Sequence, residues 1–205
     1  MANEKKKRIE RYSFIEDAKR TLFGDALVKW LISKKLGIRY RDIIFHYNEH
    51  GKPFLRGYPF FNFNISHSGD WVVCAISCKN VGIDIEQVMD IDLGIARRFF
   101  SEQEYKDIIG KPKHNQLSYF YDLWTLKESY IKYKGKGLSF LLDTFTINKE
   151  NEDISLYKNN KKIHLNFNQC DIGMDYKMSV CAIENKFSEA PVIVNIEGII
   201  TQMYH

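Results

Sequence analysis

Apolar residues recur at helical spacing in Phe23, Leu27, Trp30 and Leu31, and Ser13 with Glu16 three residues later forms a capping box ahead of them. The pattern predicts a helix that runs to Leu36 and stops at Gly37, with Gly24 as a point of close packing. Strand signals follow at residues 43–47, then a turn at His50-Gly51-Lys52-Pro53 and an aromatic stretch over residues 58–63. Residues 61–65 alternate as a half-buried strand, and Ser66-His67-Ser68-Gly69 predicts the turn into a second strand, Trp71 to Ile76. After Cys78-Lys79-Asn80 the chain alternates again from Val81 to Glu86. A second capping box, Ser101 with Glu104, opens a short helix that ends near Gly110-Lys111-Pro112. A longer helix spans residues 120–134, stopped by Gly135 and Gly137. Residues 144–183 read as strands with polar hairpin tips at 148–153 and 158–162.

Two of these elements carry chemistry. On the later helix, Trp124, Glu128 and Lys132 lie four residues apart and share one face. An exposed ion pair between Glu128 and Lys132 is the plain reading of that stripe. On the strand, Val81, Ile83 and Ile85 point one way, and Gly82, Asp84 and Glu86 the other. Two carboxylates side by side repel unless a proton or cation lies between them, and hard divalent ions favour oxygen ligands. An edge strand with a solvated acidic face is the alternative for Asp84 and Glu86 alone; with Glu128 added, a metal site is the better reading. His67, flanked by two serines, is either a solvated turn residue or a phosphate contact.

Taken in order, Gly51-Lys52-Pro53, Asn64-Ile65-Ser66-His67-Ser68, Gly82-Ile83-Asp84-Ile85-Glu86, Arg97-Arg98-Phe99-Phe100-Ser101 and Phe120 through Leu138 resemble the 4′-phosphopantetheinyl transferases. The likeness is to the large monomeric type that activates surfactin synthetase and similar assembly lines, and it extends from about Glu4 to about Ala182. It implies a magnesium-dependent enzyme, with manganese as a substitute. Such an enzyme moves the phosphopantetheine arm of coenzyme A onto a serine of an apo peptidyl or acyl carrier domain and releases 3′,5′-ADP. Carried over by position, Asp84, Glu86 and Glu128 would hold the metal, and Glu128 is also the expected base for the attacking serine. Lys132 would neutralise or protonate the leaving phosphate. Lys5, Arg8, Arg20, Ser66 and His67 would contact coenzyme A phosphates, while Thr21 and the turn at Lys52-Pro53 would frame the adenine end. A carboxylate bound to metal is a poor base, so Glu128 would act through a water or bind metal loosely. Two departures stand out: the chain begins at Met1-Ala2-Asn3-Glu4-Lys5, where the family normally has an earlier strand and helix, and Arg8 stands where a lysine is usual.

Composition narrows the alternatives. No apolar run reaches the ~18 residues a membrane span needs, and the basic amino terminus leads into charged residues instead of a signal segment. The expectation is a cytoplasmic monomer with no membrane partner. Cys74, Cys78, Cys170 and Cys181 make no C-x-x-C pair, which argues against zinc and a disulfide framework. A net charge of +4 suits an acidic partner such as coenzyme A and is too modest, without a nucleic-acid motif, to suggest nucleic acid. A non-catalytic coenzyme A or nucleotide binder is the remaining alternative.

The expected fold class is α+β. Val73-Cys74-Ala75-Ile76 recurs as Val180-Cys181-Ala182-Ile183, an echo that suggests duplication, although four residues of core composition also arise by chance. The resemblance implies the same thing: two similar halves, residues 1–99 and 100–205, each with a long helix against a mainly antiparallel sheet and the active site in the cleft between them. By the same resemblance residues 88–101 flank the carrier-docking surface, with Met89, Ile91, Leu93 and Phe99 as apolar contacts unless they pack inward.

Overall fold

The computed structural model describes residues 15–137, 141–151 and 153–204. Lys5, Arg8 and the first capping box at Ser13 lie outside the described residues. Helix α1 (Ile15–Leu36) ends where the sequence predicts: Gly37 takes a left-handed φ of 68° and its N–H returns to the Ser33 carbonyl. The buried face differs. Gly24, Val28 and Ile32 are buried, whereas Phe23, Leu27, Trp30 and Leu31 are half-buried. Gly24 explains the phase, because a Cβ there would stand 3.2 Å from Ile65 Cγ2; the helix meets the sheet where it has no side chain. Trp30 instead faces a carboxy-terminal helix, α5 (Ile196–Tyr204), and donates to Gln202 Oε1 at 2.8 Å.

Beneath α1 lie the hairpin β1 (Phe45–Tyr47) and β2 (Pro53–Leu55) and the longer hairpin β3 (Asn62–Ser68) and β4 (Trp71–Ser77). The turn between β3 and β4 is shorter than the sequence suggests. Pairing continues to Ser68↔Trp71, so Ser66, His67 and Ser68 are strand residues and Gly69, at φ 53°, opens the turn. A Cβ on Gly69 would collide with the Tyr176 hydroxyl, so glycine is required there. A core of Val28, Ile32, Ile43, Leu55 and Phe63 fills this part.

Strand β5 (Val81–Gln87) is hydrogen-bonded along its length to β10 (Tyr176–Ala182), which also pairs with β9 (Asn166–Cys170). The strand expected to close the first half thus takes its backbone ladder from the second. A separate meander comprises β6 (Thr146–Glu150), β7 (Asp153–Lys158) and β8 (Lys161–Ile163). Its tips fall where predicted, with Asn151, Asn159 and Asn160 at positive φ, a conformation asparagine tolerates. Between the sheets, α2 (Ala96–Phe99) and α3 (Glu102–Gly110) lead to α4 (Lys113–Lys134). This helix starts directly after Pro112, earlier than the expected Phe120, and ends on Gly135 at φ 65°. Helices and antiparallel sheets of this kind make an α+β fold.

The second capping box is present, with Ser101 Oγ accepting from Glu104 N and Glu104 Oε2 from Ser101 N. Glu104 has a further role that sequence reading missed. It is fully buried against the fully buried Lys127, whose Nζ lies 2.6 and 2.7 Å from its two oxygens. It also accepts from Ile147 N, while Lys127 donates to Phe145 O. Three segments of the larger core, α3, α4 and the start of β6, meet on this pair. Burial still pushes the Lys127 ammonium down to about 8.

Candidate active site

The site forms where β3, β5 and α4 converge. Gly82 makes that convergence possible: a Cβ there would collide with the Ser129 carbonyl and the Tyr133 amide, so any other residue would hold α4 away from β5. The close approach brings Lys132 to Asp84, with Nζ 2.6 Å from Oδ1. The sequence offered Glu128, four residues away, as the partner of Lys132; the recorded ion pair is instead with Asp84, 48 positions distant. Lys132 Nζ also donates to Ser66 Oγ at 2.7 Å.

Strand β5 holds its second edge in an unusual way. Instead of a backbone ladder, side chains of β3 receive its amides: Asn64 Oδ1 from Ile83 N, Ser66 Oγ from Ile85 N, and Ser68 Oγ from Gln87 N. The same two hydroxyls donate to the carboxylates, Ser66 to Asp84 Oδ1 and Ser68 to Glu86 Oε2, each at 2.9 Å. Asn64 and Ser68 were absent from the sequence-based site. The signal that could have found them is the parallel spacing of Asn64, Ser66 and Ser68 with Gly82, Asp84 and Glu86.

The acidic groups load one another. Burial raises the Asp84 carboxyl despite Lys132 and Ser66. Burial and then the Asp84 charge push Glu86 up to about 7, while the Ser68 bond works against them. Glu128 is raised by burial and by Asp84, with Lys132 opposing. Two cations, Lys132 and Arg20, and the His67 imidazole border this acidic set. Partial burial lowers His67, followed by the charges of Lys132 and Arg20. His67 reaches solvent. Arg20 is braced by Asp17 at 2.7 Å and the Gly69 carbonyl at 3.0 Å. An acidic set bordered by Lys132, His67 and Arg20 suits a cation with a phosphorylated anion beside it.

Among the described residues no three His, Cys, Asp or Glu side chains are gathered closely enough to form a ready metal cage. The donor chemistry nonetheless fits a hard divalent ion. Asp84 Oδ2 is buried with no hydrogen-bond partner, and buried carboxylates whose charges repel are the donors such an ion would relieve.

Lys52 faces inward. Its Nζ donates to the carbonyls of Lys132 at 2.6 Å, Val81 at 3.1 Å and Tyr133 at 3.5 Å, and burial lowers it to about 8. Asn48 Nδ2 donates to Gly135 O from the same hairpin. Together they cap the carboxy-terminal carbonyls of α4. Pro53 is the first residue of β2, and Thr21 lies on α1. Of the apolar residues near the expected docking segment, Ile91, Leu93 and Phe99 pack against the main core, whereas Met89 is exposed.

The chain is similar in sequence to known proteins over nearly its whole length. Residues 1–79 match the sequence model described as 4′-phosphopantetheinyl transferase, N-terminal, and residues 80–181 that of the 4′-phosphopantetheinyl transferase superfamily. The chain is 42% identical over 200 residues to the 4′-phosphopantetheinyl transferase Sfp of Bacillus subtilis (strain 168), covering 96% of this chain and 88% of that protein. It is 42% identical over 183 residues to the 4′-phosphopantetheinyl transferase gsp of Aneurinibacillus migulanus, covering 89% and 76% respectively. It is 38% identical over 172 residues to the L-aminoadipate-semialdehyde dehydrogenase-phosphopantetheinyl transferase of Homo sapiens, covering 76% and 56%. With ordered motifs, a converged acidic and basic site and identity over nearly the whole chain, this protein belongs to the 4′-phosphopantetheinyl transferase superfamily.

Proposed function

We propose that the enzyme transfers the 4′-phosphopantetheine arm of coenzyme A to a serine hydroxyl of apo peptidyl or acyl carrier domains. The serine Oγ forms a bond to the phosphorus bearing the pantetheine arm, the bond from that phosphorus to the bridging oxygen breaks, and 3′,5′-ADP leaves. The observation that carries this reading is the contact of Lys132 Nζ with Asp84 Oδ1 at 2.6 Å, which sets the face of α4 that carries Glu128 against the strand that carries Asp84 and Glu86. Magnesium, or manganese in its place, would be held by Asp84, Glu86 and Glu128 and would supply charge neutralisation at the pyrophosphate.

The chain's own residues do the rest. Lys132 would exchange its contact with Asp84 for the leaving phosphate, to which it lends charge or a proton. Glu128, its carboxyl raised by burial, suits proton acceptance from the serine, through a water or while loosely bound to the metal. Arg20, Ser66 and His67, with Lys5 and Arg8, would hold coenzyme A phosphates, and Thr21 and the turn at Lys52-Pro53 would frame the adenine. Because the Lys52 ammonium is committed to α4, its contribution there would come from its backbone and stem. The reading takes the cleft between residues 1–99 and 100–205 as the site, and the protein as a cytoplasmic monomer without nucleic-acid or membrane partners.

Intact-mass analysis of an apo peptidyl carrier domain, incubated with the protein, coenzyme A and magnesium, tests it. An added phosphopantetheine mass is expected, lost with chelator and in Glu128→Gln. No added mass on either a peptidyl or an acyl carrier would refute the transfer, and full turnover by Glu128→Gln would refute the role of Glu128.

A further inference from the structure

Strands β3 and β5 match residue for residue across their seam. Asn64 serves the amide next to Gly82, Ser66 the amide next to Asp84, and Ser68 the amide next to Glu86. A serine therefore stands wherever β5 carries a carboxylate, and an asparagine where it carries none. The distinction is chemical. Each position must accept a β5 amide, but only a hydroxyl can accept and still donate from the same atom. Ser68 accepts Gln87 N at 3.0 Å and donates to Glu86 Oε2 at 2.9 Å. With a lone pair held by the rigid backbone amide, the hydroxyl hydrogen is directed to the carboxylate.

We propose that Ser68 is a positioning residue for the cation site: its hydroxyl, anchored on the Gln87 amide, fixes one oxygen of Glu86 and so sets how that carboxylate presents itself to the metal. The inference rests on the reading of Glu86 as a metal ligand. Ser66 stands in the same relation to Asp84 but also meets Lys132, so Ser68 isolates the effect. It belongs to the outer shell of partners that orient ligating carboxylates, whose loss typically weakens metal affinity about 10–100-fold.

The test is Mn2+ binding to the full chain with coenzyme A present and no carrier, read from the loss of the free-ion electron paramagnetic resonance signal. Ser68→Ala should weaken Mn2+ affinity roughly 10-fold, and Ser68→Thr, which keeps the hydroxyl, should restore it. In turnover, Ser68→Ala should raise the apparent KM for magnesium more than it lowers kcat at saturating metal. Ser68→Cys, with a weak donor of similar size, should move affinity the same way and replaces the alanine variant if that fails to fold. Unchanged Mn2+ affinity in Ser68→Ala or Ser68→Cys, with Glu86→Gln weakened, would overturn the positioning role and leave Ser68 as a closer of the seam. Unchanged affinity in Glu86→Gln would overturn the ligand reading itself.

Discussion

Replacing Lys127 with methionine removes one half of the buried pair with Glu104 and should be among the most destabilising single changes in the protein. Glu104 accepts four hydrogen bonds, two from Lys127 Nζ and one each from Ser101 N and Ile147 N. Without the ammonium, a fully buried carboxylate keeps the two amides, and the Phe145 carbonyl loses the Lys127 hydrogen bond. Breaking a buried ion pair from one side costs about 3–5 kcal/mol, a large share of the roughly 5–15 kcal/mol that holds a domain folded. The pair itself is not a large net gain, because burial brings Lys127 down to about 8 even with the Glu104 charge and hydrogen bonds opposing it. The double variant Glu104→Gln with Lys127→Met should therefore recover part of the loss, since no charge remains; Glu104 receives Ser101 N and Ile147 N on separate oxygens, and the single glutamine oxygen keeps one of them. Equilibrium urea unfolding followed by tryptophan fluorescence measures this; Trp124 stacks on Phe120 at 5.7 Å and so reports on the same core. A Lys127→Met loss below about 1 kcal/mol would refute the reasoning, as would a double variant as unstable as the two single losses added together.

Three further outcomes follow from the geometry. Gly82→Ala should drive a methyl group into α4 at Ser129 and Tyr133, costing about 1–3 kcal/mol or more and activity with it; an unchanged urea midpoint would contradict the close approach. The Lys52 ammonium is lowered to about 8 in the fold. Between that pH and its unfolded value of 10.5 the unfolded chain holds the extra proton, so stability from this group rises with pH across that window and is lost as pH falls to about 8. The stability of the protein minus that of Lys52→Met should accordingly grow over that range, and a flat difference in urea unfolding would exclude the effect. Coenzyme A phosphates set beside His67 should raise its lowered pKa and draw in a proton. Calorimetric titration in two buffers of different ionisation enthalpy should detect uptake near neutral pH, and identical heats would separate His67 from the phosphates.

Much of the architecture was legible in local pattern. Gly37 and Gly135 stop the long helices because a left-handed residue closes a helix end. Ser101 with Glu104 announces α3, and the alternation from Val81 to Glu86 announces β5. These signals act over a few residues, within one turn or one pleat, so the order of residues alone contains them. The same holds for the set of candidate ligands, since Asp84 and Glu86 share a strand face by periodicity and Glu128 and Lys132 a helix face.

What joins distant segments was decided only by the tertiary structure. The buried phase of α1 followed Gly24, where the backbone can approach Ile65, and not the larger apolar residues beside it. Lys132 found Asp84 because Gly82 lets α4 settle onto β5. Lys127 looks like a surface lysine until Glu104 is packed against it, and Lys52 like a ligand contact until α4 presents its carbonyls. In each case a polar group removed from water must find a partner. Which partner it finds depends on which segments the fold brings within 3 Å or so, a fact that no local pattern contains.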